Sequence, residues 1–432
     1  MAEAARSVTS TKQYLYLMAI KTDNNGDVDT QIIPRCIAST GESFCGTVAN
    51  TNLDLDFAPT HGRIPPGAES NCFRSADLSA DGSTVLTLNE DQRLRSFVLP
   101  PDLLDEHDSL QCLEPQSIAR PTKTLTSALY PGFSLANTGT TIALQACNDL
   151  PIRLVNILDF SYTHATYPWV NASTEAWIAP HSLLFSSDGL HFVAGTKEKL
   201  AVFDVSRDGE GPVTGTSTRK SQKSRRAWGE HETPLSGIVT ALSLSRNNEV
   251  LAAGTTGREI GLYAAGGMGE KVTSFSIRDD LEAGANGAGV TQLSWSSCGN
   301  YLFVAERKSD AILIYDIRQG QRLSWLRGRK ADTSQRLSFD LLQTSDSGHD
   351  IWAGGTDGKV RIWRDVTRSE DVVDPDAVFP AGIGRSTSSP VKINGADTIR
   401  YDVKCACSSK SCRSNYDVRA ALPTGMLCTW ES

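Results

Sequence analysis

Two stretches of this chain carry the residue types that grip phosphates and unpaired bases. The first holds Arg318, Arg322, Arg327, Arg329, Lys330 and Arg336, threaded with Trp325. A guanidinium donates two parallel hydrogen bonds to a phosphate, and guanidinium and indole faces stack on unpaired bases. The competing reading is plain: charges on the outer strand of a folded unit. Arg153, Arg307 and Lys308 lie on tight turns between apolar runs and are expected to extend the same patch. The second stretch is Arg219, Lys220, Lys223, Arg225 and Arg226, followed by Trp228, with no acid among them. It reads as a solvated loop, a nuclear import signal or an RNA-backbone contact.

Catalytic chemistry has little to stand on. The chain has no G-x-S-x-G elbow, no H-E-x-x-H and no phosphate-cradling loop; Gly358-Lys359 is followed by Val360, where Ser or Thr is needed. Gly284, Gly287 and Gly289 sit in a loop that enters a strand, the wrong order for a dinucleotide site. Cys405, Cys407 and Cys412, with Cys428, give C-x-C-x4-C, whereas zinc sites use C-x2-C pairs. Glu175 and His181 precede a strand. A His there is expected to hydrogen-bond the Asp of a later turn, a structural role rather than acid–base work. Asp316 closes a strand and is likewise assigned to structure. No catalytic residue, metal, cofactor or small-molecule substrate is expected.

Composition narrows the partners. The 432 residues carry a formal charge of −8, so no global basic field draws the chain to nucleic acid, and any RNA contact must use a local patch. The start, MAEAARSVTSTKQYLYLMAI, lacks the basic region and long apolar core of a signal peptide. The apolar run from Tyr14 to Ile20 is too short to span a bilayer, so no membrane role is expected. Cys147 and Cys298 sit in strand or turn contexts, as in a reduced cytosolic or nuclear compartment.

The elements that must position these residues are strands. From Gly289 the chain reads GVTQLSWSSCGNYLFVAERKSDAILIYDIRQG. That is three apolar runs with turns at Cys298-Gly299 and Arg307 to Asp310, hence three antiparallel strands. Leu337 to Asp365 repeats the plan. Earlier copies start at Cys72, Phe133, His181 and Gly237, with central turns near 82, 139, 189, 248, 299 and 348. A repeated unit that cannot bury both faces alone implies radial stacking, and an all-β, WD40-type β-propeller fits best. The reading divides the chain into an N-terminal segment, 1–70, with a strand available to close the ring; six recognisable repeats, 71–366; and an irregular seventh blade with a tail, 367–432. Val378 to Ile383 is expected to begin that seventh blade, and Thr398 to Val403 resembles a closing strand.

The wording of the repeats resembles one family. Asp149-Leu-Pro-Ile-Arg-Leu154, His181-Ser-Leu-Leu-Phe185, Gly289-Val-Thr-Gln292, Arg307-Lys308, Asp316-Ile-Arg318 and Gln335-Arg336 look like the telomerase Cajal body WD-repeat proteins. PHSLLF, VFDVSRDGEGPV and WLRGRKADTSQRL look most like the fungal branch, relatives of a yeast splicing-associated protein. The resemblance covers about residues 70–366. It implies a nuclear, non-catalytic scaffold for small nuclear or Cajal-body-type RNA and its particle proteins, in splicing or in telomerase RNA assembly. It also raises the weight of the RNA reading at Arg318 to Arg336. The rival is a protein–protein adaptor such as a cullin-ligase substrate receptor, for which Tyr315-Asp316-Ile317-Arg318 approximates the W-D-x-R signature.

Overall fold

The computed structural model describes residues 16–19, 35–40, 44–46, 68–71, 73–103, 105, 107, 111–219, 233–247, 249–278, 287–344, 348–369, 371–380 and 401–403. Six consecutive sheets follow one plan, in which four antiparallel strands pair in the order they occur along the chain. Blade 1 is Phe73–Leu78, Thr84–Asn89, Leu94–Val98 and Ser117–Ile118. Blade 2 runs from Thr124–Leu129 through Ile142–Cys147 and Ile152–Asn156 to Thr163–Tyr167. Blade 3 is Ser182–Phe185, His191–Thr196, Lys199–Asp204 and Thr214–Ser217, and blade 4 is Val239–Leu244, Val250–Thr255, Glu259–Ala264 and Lys271–Ser276. Blade 5, Val290–Trp295, Tyr301–Glu306, Ile312–Asp316 and Gln321–Leu326, gains Val372–Val373 as a parallel fifth strand. Blade 6 is Phe339–Gln343, His349–Gly354, Lys359–Trp363 and Ala377–Pro380.

Among the described residues the blades number six, not the expected seven. The segment expected to open a seventh repeat instead completes the sixth: Val378 lies opposite Arg361 on the edge of blade 6. A separate four-stranded sheet is assembled from distant segments, Tyr401–Val403, Tyr16–Ala19, Arg35–Thr40 and Gln111–Leu113. Leu17 faces Val403 in antiparallel register, and Ala38 faces Gln111 in parallel. A second correction concerns blade 2. Its first strand is Thr124–Leu129, not Phe133 to Ala136. Phe133 instead sits buried at the turn, packed with Leu86, Leu88 and Ala143.

Neighbouring blades share apolar layers. Between blades 2 and 3, Leu144, Leu154 and Tyr167 pack against Phe185, Phe192 and Phe203, and the last two rings stack 4.8 Å apart. Between blades 4 and 5, Ile260 and Leu262 meet Trp295, Leu313 and Trp325. Between blades 5 and 6, Phe303 and Ile314 meet Phe339 and Trp363. Each fully buried side chain of this kind stabilises by roughly 1.5–3 kcal/mol. The first strands of blades 1, 2, 4 and 5 shift register near their start, a bulge that adds local twist.

One buried acid opposes this packing. Asp77, on the first strand of blade 1, is buried, and desolvation pushes its carboxyl well above the usual carboxylate range. The folded state therefore holds this proton to higher pH than the unfolded chain does. Asp77's contribution is most favourable below the ordinary carboxylate range, and it is lost as pH rises from there through the folded value. Asp77→Asn is expected to raise stability at neutral pH and to flatten the fall in stability above the acid range. Urea unfolding at a series of pH values measures both.

Candidate nucleic-acid interface

Antiparallel alternation gives every blade two ends. Turns between the second and third strands, and the connections between blades, lie at one end. Turns between first and second and between third and fourth strands lie at the other. We call these the connection end and the hairpin end.

At the connection end the second-to-third turns share a backbone device. Gln92, Asp149, Glu198, Arg258 and Lys308 take φ between 57° and 63° or, for Lys308, 51°, and Gly358 completes the set at 71°. In blade 5 this turn is tied to the connection that follows. Lys308 N donates to Thr333 O at 3.0 Å, and Arg329 N donates to Asp310 O at 3.1 Å. Ala331 N donates to the Asp310 carboxylate at 2.6 Å. Thr356, in the matching turn of blade 6, donates from N and Oγ1 to Lys330 O at 2.8 and 2.9 Å. Lys308 and Lys330, both exposed and both in left-handed backbone, thus stand on one braced platform between blades 5 and 6.

The remaining candidates separate. Arg327 is exposed at this end but holds a two-pronged ion pair with Asp374 at 2.5 Å, and that hydrogen bonding raises its guanidinium above the usual range. Arg307 is buried, while Arg336 and Arg153 are half-buried; Arg153 donates to Gln145 Oε1 at 2.9 Å. Arg318 and Arg322 flank the third-to-fourth turn, so they lie at the hairpin end, away from the lysines. Arg318 pairs with Asp316 at 2.6 Å and lies over the Tyr301 ring at 5.5 Å. Its hydrogen bond holds the Asp316 carboxyl below the usual range, which fits the structural role expected of Asp316.

Two candidates are removed from the surface altogether. Trp325 is 6% exposed within the layer between blades 4 and 5, so its face is not open to a base. Arg329 has no exposed surface. Its Nη2 donates to the carbonyls of Leu337 and Ser338, and burial pulls the guanidinium down to about 10. It binds one end of the connection to the other and cannot reach a phosphate.

The second-to-third turn of blade 3 carries no Asp to make the expected His–Asp bond. It carries Glu198, which pairs with exposed Arg219 at 3.4 Å. The backbone N of His181 donates to Gly195 O at 2.8 Å, and Glu175 is exposed at the tip of the preceding connection. In the turns of blades 1 and 6 an arginine four residues after the Asp holds it: Arg95 with Asp91 and Arg361 with Asp357, at 2.5 and 2.6 Å, whereas Arg153, four residues after Asp149 in blade 2, donates to Gln145. Lys220, Lys223, Arg225, Arg226 and Trp228, and the tail cysteines Cys405, Cys407, Cys412 and Cys428, lie outside the described residues.

One further residue at the connection end was not singled out from sequence. The link between blades 2 and 3 forms a small hairpin in which Val170 bridges Trp177, with both side chains exposed, 46% and 40%. Asn171, whose carboxamide accepts from Ser173 N at 2.9 Å, starts the turn. An exposed indole on a braced hairpin is a stacking surface of the kind Trp325 was expected to supply.

Six sheets, each built on four antiparallel strands and joined in order, define a WD-repeat β-propeller. No family model matches the chain. Guanine nucleotide-binding protein negative regulator 1 of Schizosaccharomyces pombe is 30% identical over 354 residues, 79% of this chain and 80% of that protein. Telomerase Cajal body protein 1 of Homo sapiens is 28% identical over 297 residues, 68% of this chain and 50% of that protein. Protein SWT21 of Vanderwaltozyma polyspora is 23% identical over 301 residues, 66% and 65% of the two chains. The chain belongs to this family of telomerase Cajal body WD-repeat proteins and their fungal relatives. It spans about half the length of the mammalian relatives it matches.

Proposed function

We propose that the protein is a non-catalytic nuclear scaffold that binds small nuclear or Cajal-body-type RNA and holds it with proteins of its ribonucleoprotein particle. The activity belongs to splicing or to the assembly and trafficking of telomerase RNA. The observation that carries the reading is the braced platform of Lys308 and Lys330, two exposed cations held by hydrogen bonds between adjacent blades. Single-stranded RNA laid along the connection end would meet these point charges, with Arg336 beside them and Trp177 as a stacking surface farther round the ring. The relatives' names support the family-level role: one is named for telomerase and the Cajal body.

The test is a salt titration of affinity for small nuclear RNA. Each phosphate contact on a single strand contributes about −0.7 to the slope of log K against log salt. Lys308→Glu with Lys330→Glu is expected to weaken binding about tenfold and to flatten that slope by about 1.4. A flat salt response in the unaltered protein would sink the mechanism. The protein–protein adaptor remains the second reading. The pattern Tyr315-Asp316-Ile317-Arg318 that motivates it has its Arg318 guanidinium engaged by Asp316 and Tyr301. Recovery of ligase subunits without RNA would favour it.

A further inference from the structure

The hairpin end of blades 2, 3 and 4 has a different character from the RNA platform. Tyr162, in the third-to-fourth turn of blade 2, is 57% exposed. Leu190, in the first-to-second turn of blade 3, is 60% exposed, and Val213, before the outer strand of that blade, 43%. Met268, in the third-to-fourth turn of blade 4, is 44% exposed. Isolated exposed apolar residues are ordinary, but these four mark the same end of three consecutive blades.

The turns that carry them are ordered and cross-linked. Val205 N donates to Leu190 O at 2.9 Å, which ties two turns of blade 3 together. Gly209 N donates to Thr166 O at 2.8 Å, and Thr166 N donates to the Asp208 carboxylate at 2.7 Å, so the blade 3 turn grips the outer strand of blade 2. Gly266 N donates to Glu249 O at 3.1 Å within blade 4. Gly267 is packed against blade 3, where an added Cβ would lie 3.5 Å from Val202 Cγ2. The apolar side chains are therefore displayed on a fixed frame, with little ordering entropy left for a partner to overcome.

The exposed charges around them are mostly acidic. Asp159, Asp188, Asp208, Glu210, Glu249 and Glu270 are all exposed on these turns. The exposed cations here are Arg207, which is paired with Glu210, and Arg246. Ser186 and Ser161 hydroxyls and backbone amides hydrogen-bond Asp188 and Asp159 and hold both carboxyls below the usual range, so they stay ionised. Such a field repels nucleic acid, and it repels a second copy of the same face.

We infer that the hairpin end of blades 2–4 is the docking surface for a basic protein segment with apolar anchors, an arginine- or lysine-rich chain whose Leu, Phe or similar side chains cover Tyr162, Leu190, Val213 and Met268. Its cations would lie among the carboxylates, and its apolar groups would remove the exposed surface from water. The propeller would then hold its protein partner on the face opposite Lys308 and Lys330. The inference does not depend on RNA binding.

The probe is a short fluorescein-labelled peptide that alternates arginine with leucine, read by anisotropy against the full chain. Leu190→Ser with Met268→Ser is expected to weaken binding about tenfold, the loss of about 1.4 kcal/mol of apolar contact. These surface changes should leave the melting temperature unaltered, and Lys308→Glu with Lys330→Glu should leave peptide affinity unaltered. A peptide with serine for leucine should bind weakly. Equal binding by the serine peptide, or by the Leu190/Met268 variant, would overturn the inference, because charge alone would then suffice. A photocrosslinker at position 190, used in cells, should capture a basic protein segment. Capture of RNA, or of a second copy of this chain, would overturn it equally.

Discussion

Glu306→Ala is expected to destabilise the protein by about 3–5 kcal/mol, the loss typical when one partner of a buried ion pair is removed. Glu306 ends the second strand of blade 5, and its side chain is 1% exposed. Arg258, from the turn of blade 4, donates Nε to Oε1 at 2.7 Å and Nη2 to Oε2 at 2.9 Å. The arginine side chain is 13% exposed, so its charge is only partly relieved by solvent when the acid is gone. Gly287 closes over the acid: a Cβ there would come within 2.5 Å of the Glu306 Cβ. Water is thus kept from the pair, which strengthens both the attraction and the penalty for breaking it. Urea unfolding of Glu306→Ala, Arg258→Ala and the double variant gives the coupling. The double variant should lose less than the sum of the singles, by about 1–3 kcal/mol. Additive losses would mean that the pair does not act as a unit.

Arg329→Ala is expected to cost about 2–4 kcal/mol, though the residue touches no solvent and no ligand. Its Nη2 satisfies the carbonyls of Leu337 and Ser338, which would be left buried and unpaired, at about 1–3 kcal/mol. The cavity left by a large side chain adds to this. Working against both is the relief of a desolvated charge: Nε and Nη1 have no hydrogen-bond partner. Arg329→Met keeps most of the volume without the charge and should therefore cost distinctly less than alanine. The readout is unfolding free energy for the two variants, with RNA affinity measured beside it. A loss of RNA binding with unchanged stability in both variants would contradict this account and return Arg329 to the interface.

The repeat plan was legible because each blade confines its turns to short polar clusters between apolar runs. Tyr301–Glu306 and Ile312–Asp316 are buried on nearly every residue, so their apolar runs are continuous. Outer strands and half-exposed inner strands leave no such trace. Thr124–Leu129 is mostly half-buried, and its polar alternation hid it beside the more apolar Phe133. Ala377–Pro380 is a half-exposed edge, and its few apolar residues read as the start of a new unit instead of the end of an old one.

The candidate site was legible by residue type and illegible by depth. Arginine has a long apolar stem, so Arg329 and Arg327 look alike in sequence. One of them crosses the interior and the other pairs with Asp374 at the surface. Their ends of the fold were more accessible to reasoning. Arg318 follows a third strand and Lys308 follows a second, and successive antiparallel turns fall at opposite ends. Counting turns alone would have divided the patch.

The meeting of Tyr16–Ala19 with Tyr401–Val403 bears on how the chain is made. Every blade pairs strands that are close neighbours in sequence, so blades 1 to 6 can assemble one after another as they leave the ribosome. The sheet that joins Tyr16–Ala19 to Tyr401–Val403 cannot. Its strand Tyr16–Ala19 is synthesised long before its partner Tyr401–Val403. During that interval Tyr16–Ala19 presents an unpaired edge toward the missing strand, the kind of edge on which chains misassociate. Completion of this sheet is thus a late, long-range event.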